Sequence, residues 1–174
     1  MKKFLILPFL LLCIQIFAQI PKKISTYLFA QYTQTTYDIT LNNNPWGAGL
    51  GVQAFYNNKT KFKPCIEITG DVFLEDDKVL RIINGIAPEA VRGMVNIFTG
   101  SSFHPVEKVY LAFLAGPAFI NSKTYLGIKP SFGFYFSKNK RWTAKASYTN
   151  IFNRDRESKT DFGSVSFAIG LKLF

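Results

Sequence analysis

The stretch from Phe162 to Phe174, FGSVSFAIGLKLF, constrains this chain most. Val165, Phe167, Ile169, Leu171 and Leu173 are apolar, and Ser164, Ser166, Ala168, Gly170 and Lys172 between them are small or polar. A period of two puts one set on each face of a β-strand. Such a strand must bury or shield its apolar face, so the question is what lies against it.

The same alternation recurs along the chain. It predicts strands over Ile24–Asp38, Trp46–Tyr56, Phe62–Phe73, Gly93–Gly100, Lys108–Phe119, Tyr125–Phe136 and Trp142–Asn150, before the closing one. In Trp46–Tyr56, for example, Ala48, Leu50, Val52, Ala54 and Tyr56 oppose Gly47, Gly49, Gly51, Gln53 and Phe55. Turn-type stretches separate the strands: TLNNNP at Thr40–Pro45, NNKTK at Asn57–Lys61, SSFHPV at Ser101–Val106 and SKNK at Ser137–Lys140. Leu74–Arg92 and Ile151–Asp161 are the long connections, and Leu74–Arg92 carries an apolar cluster able to form a short helix or fold over one end. Aromatic residues make up 16% of the chain, with 18 Phe, while Asn, Gly, Ser, Thr and Lys interrupt the apolar runs at short intervals. That composition indicates an all-β domain of many short strands.

The N-terminus indicates the compartment. Lys2 and Lys3 precede an apolar run, Phe4–Phe17, and Ile16-Phe17-Ala18 offers a small residue for cleavage before Gln19. This is the pattern of a secretory signal over residues 1–18, leaving one domain over 19–174. Lipidation at Cys13 is the competing reading, but Leu12 stands where a small residue is wanted. Cys65 would then be the remaining thiol, so no internal disulfide and no metal-type Cys/His spacing is expected. No later stretch approaches the ~20 apolar residues of a spanning helix. Export also removes nucleic acid as a natural partner, although the formal net charge is +10.

Eight strands of roughly 9–11 residues fit the transmembrane barrel pattern. An even number returns both termini to one side. With a periplasmic N-terminus, the short turns NNKTK, FHPVE and SKNK fall inside and the long connections fall outside. The expected fold is an eight-stranded antiparallel up-and-down transmembrane β-barrel, its interior filled by side chains. The faces read as inward carry Lys63, Glu67, Asp71, Arg92, Lys129, Lys145 and Lys172, an interior charge network in which the two acids offset the bases. Trp46, Tyr56, Phe62, Tyr125, Phe136 and Trp142 face outward near strand ends, as an interfacial girdle would. Lys59, Lys61, Lys108, Lys138, Lys140 and Arg141, with Lys22 and Lys23, gather at the periplasmic end as a basic rim against a single acid, Glu107. Such a rim meets lipid phosphates, or an acidic periplasmic protein or the cell wall. A soluble lipocalin-type barrel is the alternative, with the apolar face turned inward.

With its signal ending FAQ, its hairpin spacing and its close GSVSFAIGLKLF, the chain resembles the small outer-membrane β-barrel proteins of the Bacteroidetes type, distantly similar to the OmpA/OmpX class. The resemblance covers the whole mature chain. It implies an outer-membrane location in a Gram-negative bacterium after Sec-type export. It also implies recognition of the C-terminal strand, with Phe174 as the assembly signal, by the barrel-assembly machinery. The apolar residues of that strand lie on the parity opposite to Phe174, whereas Gly170 and Lys172 share it, which departs from the usual signature.

Chemistry-bearing residues are sparse. His104, the only histidine, falls in an expected turn beside Pro105 with no Ser/Asp partner identifiable. Glu75, Asp76 and Asp77 have the makings of a divalent-cation bridge to lipopolysaccharide, or of a solvated acidic loop tip. Arg154, Arg156 and Lys159 are interleaved with Asp155, Glu157 and Asp161, which neutralise them. No catalytic, cofactor-binding or metal-binding set emerges. The function expected is a non-enzymatic structural or interaction role through outer loops, with outer-membrane lipids, lipopolysaccharide and a periplasmic or extracellular protein as candidate partners. The alternatives are a narrow channel or transporter for a small solute and a soluble lipid-binding barrel.

Overall fold

A computed structural model describes residues 23–38, 45–74, 90–155 and 160–174. The expected signal segment and most of the Leu74–Arg92 connection lie outside the described residues. Eight strands follow one another: β1 (Ile24–Tyr37), β2 (Trp46–Tyr56), β3 (Phe62–Phe73), β4 (Gly93–Val106), β5 (Val109–Ile120), β6 (Lys123–Tyr135), β7 (Trp142–Asp155) and β8 (Thr160–Lys172). Each pairs antiparallel with the next, and β8 returns to β1 through pairs such as Leu28↔Leu171 and Ala30↔Ile169. The sheet is a closed barrel without a free edge.

Alternation decides which residues face where. Leu50, Val72 and Leu126 are 60–67% exposed on the outer wall, whereas Glu67, Lys129 and Tyr110 are at most 1% exposed inside. The strand-long apolar rows therefore point away from the barrel axis, and rows that mix polar, charged, aromatic and some aliphatic residues point into it. This polarity is the opposite of a soluble barrel with a greasy interior.

Two boundaries differ from the sequence expectation. Ser101–Val106 is not a turn: β4 continues through it, with Ser101↔Phe113, Ser102↔Ala112 and Phe62↔Phe103 in register. The chain turns at Glu107–Lys108 instead. Small polar residues read as turn formers, but in this barrel they serve equally well as strand residues lining a polar interior. Pro105 falls within the register irregularity between Phe103 and Val106, where a missing N–H is tolerated. Likewise Ile151–Asp161 is a shorter loop than its polarity suggests. β7 runs to Asp155, and Ile151 is buried opposite Phe162. The Asp161 carboxylate closes this corner, accepting the backbone N–H of Asn153 at 2.8 Å and the side-chain amide of Asn150 at 3.1 Å.

The turns β2–β3, β4–β5 and β6–β7 lie at the end that also holds Ile24 and Lys172, called here the turn end. The opposite, loop end carries the remaining connections.

Candidate functional site

The middle of the barrel is a buried ion cluster. Glu67 on β3 accepts Lys129 Nζ of β6 at 2.7 Å on one carboxylate oxygen and Lys145 Nζ of β7 at 2.6 Å on the other. Lys145 also donates to Gln53 Oε1 at 3.3 Å and stands 4.2 Å from the centroid of the Phe29 ring. Four residues further along β3, on the same inward face, Asp71 accepts Gln31 Nε2 at 2.6 Å and Thr33 Oγ1 at 3.1 Å. Two carboxylates thus offset two ammonium groups, and each keeps partners that replace its lost hydration.

Of the residues expected in the interior network, Glu67, Lys129 and Lys145 come together directly, and Asp71 lies in the next layer. Lys63 and Lys172 have the inward parity but sit half-buried at the turn end, where Lys63 donates to Asn57 Oδ1 at 3.1 Å. Arg92 is not an interior residue. It shares the inward parity of Met94 and Asn96, yet it lies beyond the last β3–β4 pair, Val72↔Gly93, and is exposed.

Towards the turn end the ion cluster is capped by aromatic rings. Tyr27, Phe55, His104, Tyr110 and Tyr135 pack with ring centroids 5.2–6.4 Å apart. His104 is therefore a strand residue stacked on Tyr110 and Tyr135, not a turn residue. Its Nε2 lies 3.0 Å from Ser102 Oγ. That hydroxyl also lies within hydrogen-bond distance of the Lys63 carbonyl, at 3.1 Å. Ser102 is fully buried, so its hydroxyl is not presented to a substrate. The parity of Phe55, Tyr110 and Tyr135 was legible in the sequence; their convergence across the barrel was not.

Lys59, Lys61, Lys108, Lys138 and Arg141 are exposed on the three turns of the turn end, and Lys140 is half-buried with its Nζ 5.7 Å from the Tyr135 ring centroid. Glu107 is the one acidic side chain at this end among the described residues. Beyond β8, Leu173 donates its N–H to the Thr26 carbonyl at 2.8 Å, and the exposed Phe174 accepts the Thr26 N–H at 3.2 Å. The last residues thus continue the seam that closes the barrel.

At the loop end, Arg154 is buried and ion-paired with Asp38 of β1's edge, so it is not a surface cation for lipid phosphates. No spacing rule links two residues so far apart in sequence, and this pair was not legible there. Glu75, Asp76, Asp77, Arg156, Glu157 and Lys159 lie outside the described residues. Among the described residues no three His, Cys, Asp or Glu side chains gather as metal ligands, and no helix is long and apolar enough to cross a membrane.

These features define a closed eight-stranded barrel, apolar outside and filled inside with polar, charged, aromatic and some aliphatic side chains. No protein-family model matches the chain, and no curated protein matches it. Solved structures do. The outer membrane protein Ail of Yersinia pestis, in a phospholipid bilayer nanodisc, is similar at a TM-score of 0.57 and 16% identity, covering 86% of this chain and 99% of that one. Ail in complex with the heparin analogue sucrose octasulfate gives 0.57 and 14%, covering 86% and 97%. Neisserial surface protein A gives 0.54 and 9%, covering 87% and 96%. At these identities the likeness is one of fold.

Proposed function

We propose that the protein is an integral outer-membrane barrel, exported by a Sec-type signal and inserted by the barrel-assembly machinery acting on its C-terminal strand. The turn end faces the periplasm and the loop end the exterior. Its role is non-enzymatic, structural or interactive, carried by the Leu74–Arg92 connection and the short connection between β7 and β8. Lipopolysaccharide, outer-membrane lipids and a periplasmic or extracellular protein are the partners this placement allows.

The observation that carries the reading is the outer wall. Large apolar side chains on every strand stand exposed, among them Leu28, Leu50, Ile68, Ile97, Leu111, Leu126, Trp142 and Ile169. In water such a belt would drive aggregation; in hydrocarbon it is the lowest-energy surface. The filled interior supports a closed structural barrel over a solute channel, because Glu67, Lys129 and Lys145 and the cap residues Tyr27, Phe55, Tyr110 and Tyr135 are at most 3% exposed.

The test is fractionation of cell envelopes followed by denaturing gels of unboiled and boiled samples. An outer-membrane fraction with a mobility shift on boiling is the expected result. A soluble periplasmic protein without a shift would refute the membrane reading.

A further inference from the structure

One feature of the outer wall is not part of a uniform belt. Close to the turn end, Ala54 of β2, Pro64 of β3 and Thr99 of β4 are short side chains set among the larger Ile24, Tyr56 and Ile66. Together they leave an apolar groove of about 250 Å³ running across four adjacent strands.

The rim directly beyond this groove is basic. Lys23 immediately precedes Ile24, and its carbonyl accepts the N–H of Asn57 at 2.5 Å, just past the Ile24↔Tyr56 pair. Lys59 and Lys61 stand on the turn between Tyr56 and Pro64, and the Lys61 carbonyl accepts the His104 N–H at 2.8 Å. All three lysines are exposed, and none has a carboxylate partner among the described residues. Glu107 belongs to the next turn along the rim. A cationic rim above an apolar groove has the two-part chemistry of an anionic glycerophospholipid: a phosphate-bearing headgroup at the water interface and an acyl chain lying along the wall.

The geometry points to a specific binding site for one anionic phospholipid of the periplasmic leaflet, its acyl chain in the groove of Ala54, Pro64 and Thr99 and its headgroup phosphate on Lys23, Lys59 and Lys61. This site rests on the membrane reading and deepens it. It singles out one sector of the barrel, β1 to β4, rather than the whole rim. A zwitterionic lipid would fill the groove but would meet the lysines with a compensated headgroup, so selectivity comes from charge and residence from the groove.

The experiment uses the full folded chain in detergent, incubated with phosphatidylglycerol or phosphatidylcholine and examined by native mass spectrometry. Folding of every sample is checked by its mobility shift on boiling. The expected result is one retained phosphatidylglycerol per barrel, preferred over phosphatidylcholine by roughly tenfold or more, as two or three lysine–phosphate contacts imply. K59Q/K61Q should lower that preference by roughly tenfold. Ala54→Phe, which fills the groove from the lipid side and disturbs no interior contact, should abolish retention, with Thr99→Leu as a second groove-filling variant. A folded barrel that retains no phosphatidylglycerol, retains both lipids equally, or is unaffected by these changes overturns the site and leaves the membrane reading standing. A chain that shows no mobility shift in any lipid overturns both.

Discussion

Tyr110 of β5 lies directly opposite Gly133 of β6, and its ring covers the glycine so closely that a Cβ there would come within 2.0 Å of the ring Cζ. The pair Phe29↔Gly170 across the β1–β8 seam repeats the arrangement, with a Cβ at Gly170 meeting the Phe29 ring at 2.5 Å. An aromatic side chain laid over a cross-strand glycine shields backbone that the glycine leaves bare, and it fills the barrel without raising the number of bulky residues. Gly133→Ala should therefore destabilise the folded barrel by about 1–3 kcal/mol through overpacking. Tyr110→Leu in the same chain should recover part of that loss, a coupling of about 1 kcal/mol in a double-mutant cycle. Denaturant titration of tryptophan fluorescence in detergent reads both. Strict additivity would show that the two side chains do not meet.

The two buried lysines depend on one carboxylate. Glu67→Gln leaves Lys129 and Lys145 facing each other without their shared partner and should cost about 3–5 kcal/mol of folding stability. Asp71→Asn should cost less, about 1–3 kcal/mol, because its partners Gln31 and Thr33 are neutral groups able to bond an amide oxygen. The same titration ranks them. Equal losses would remove the central place given to Glu67.

Ile68 stands on the outer wall between Val52 and Ile97, about midway along β3. Ile68→Arg should destabilise the barrel by about 2–4 kcal/mol when it is folded into vesicles. On a soluble barrel the same exposed substitution would be close to neutral, so the comparison bears directly on what surrounds the wall.

The ion layer and the aromatic cap close the interior from side to side. Protein reconstituted into a planar bilayer should give no discrete conductance steps. Reproducible single-channel steps from the unmodified chain would favour the narrow-channel alternative.

Strand count, parity and the inward placement of Glu67, Asp71, Lys129 and Lys145 were legible in the sequence, because a strand's side chains alternate by local geometry alone. The same local rule, extended past the strand's paired region, misplaced Arg92 at the rim. It also took the polar run from Ser101 to Val106 for a turn, since a polar barrel interior accepts the residue types that turns prefer. What no local rule supplies is which inward residues share a layer. That depends on register and closure: the Tyr110↔Gly133 offset brings Tyr27, Phe55, His104 and Tyr135 into one cap, and closure lets Asp38 reach Arg154. The sequence by itself determined the alternating faces, the basic end and the charged inward rows, all properties of residue order along single strands. The tertiary structure alone decided the pairing of Glu67 with both lysines, the stacking of His104 on Tyr110 and Tyr135 and the groove beside the basic rim, because each joins residues on strands that only the closed sheet brings together.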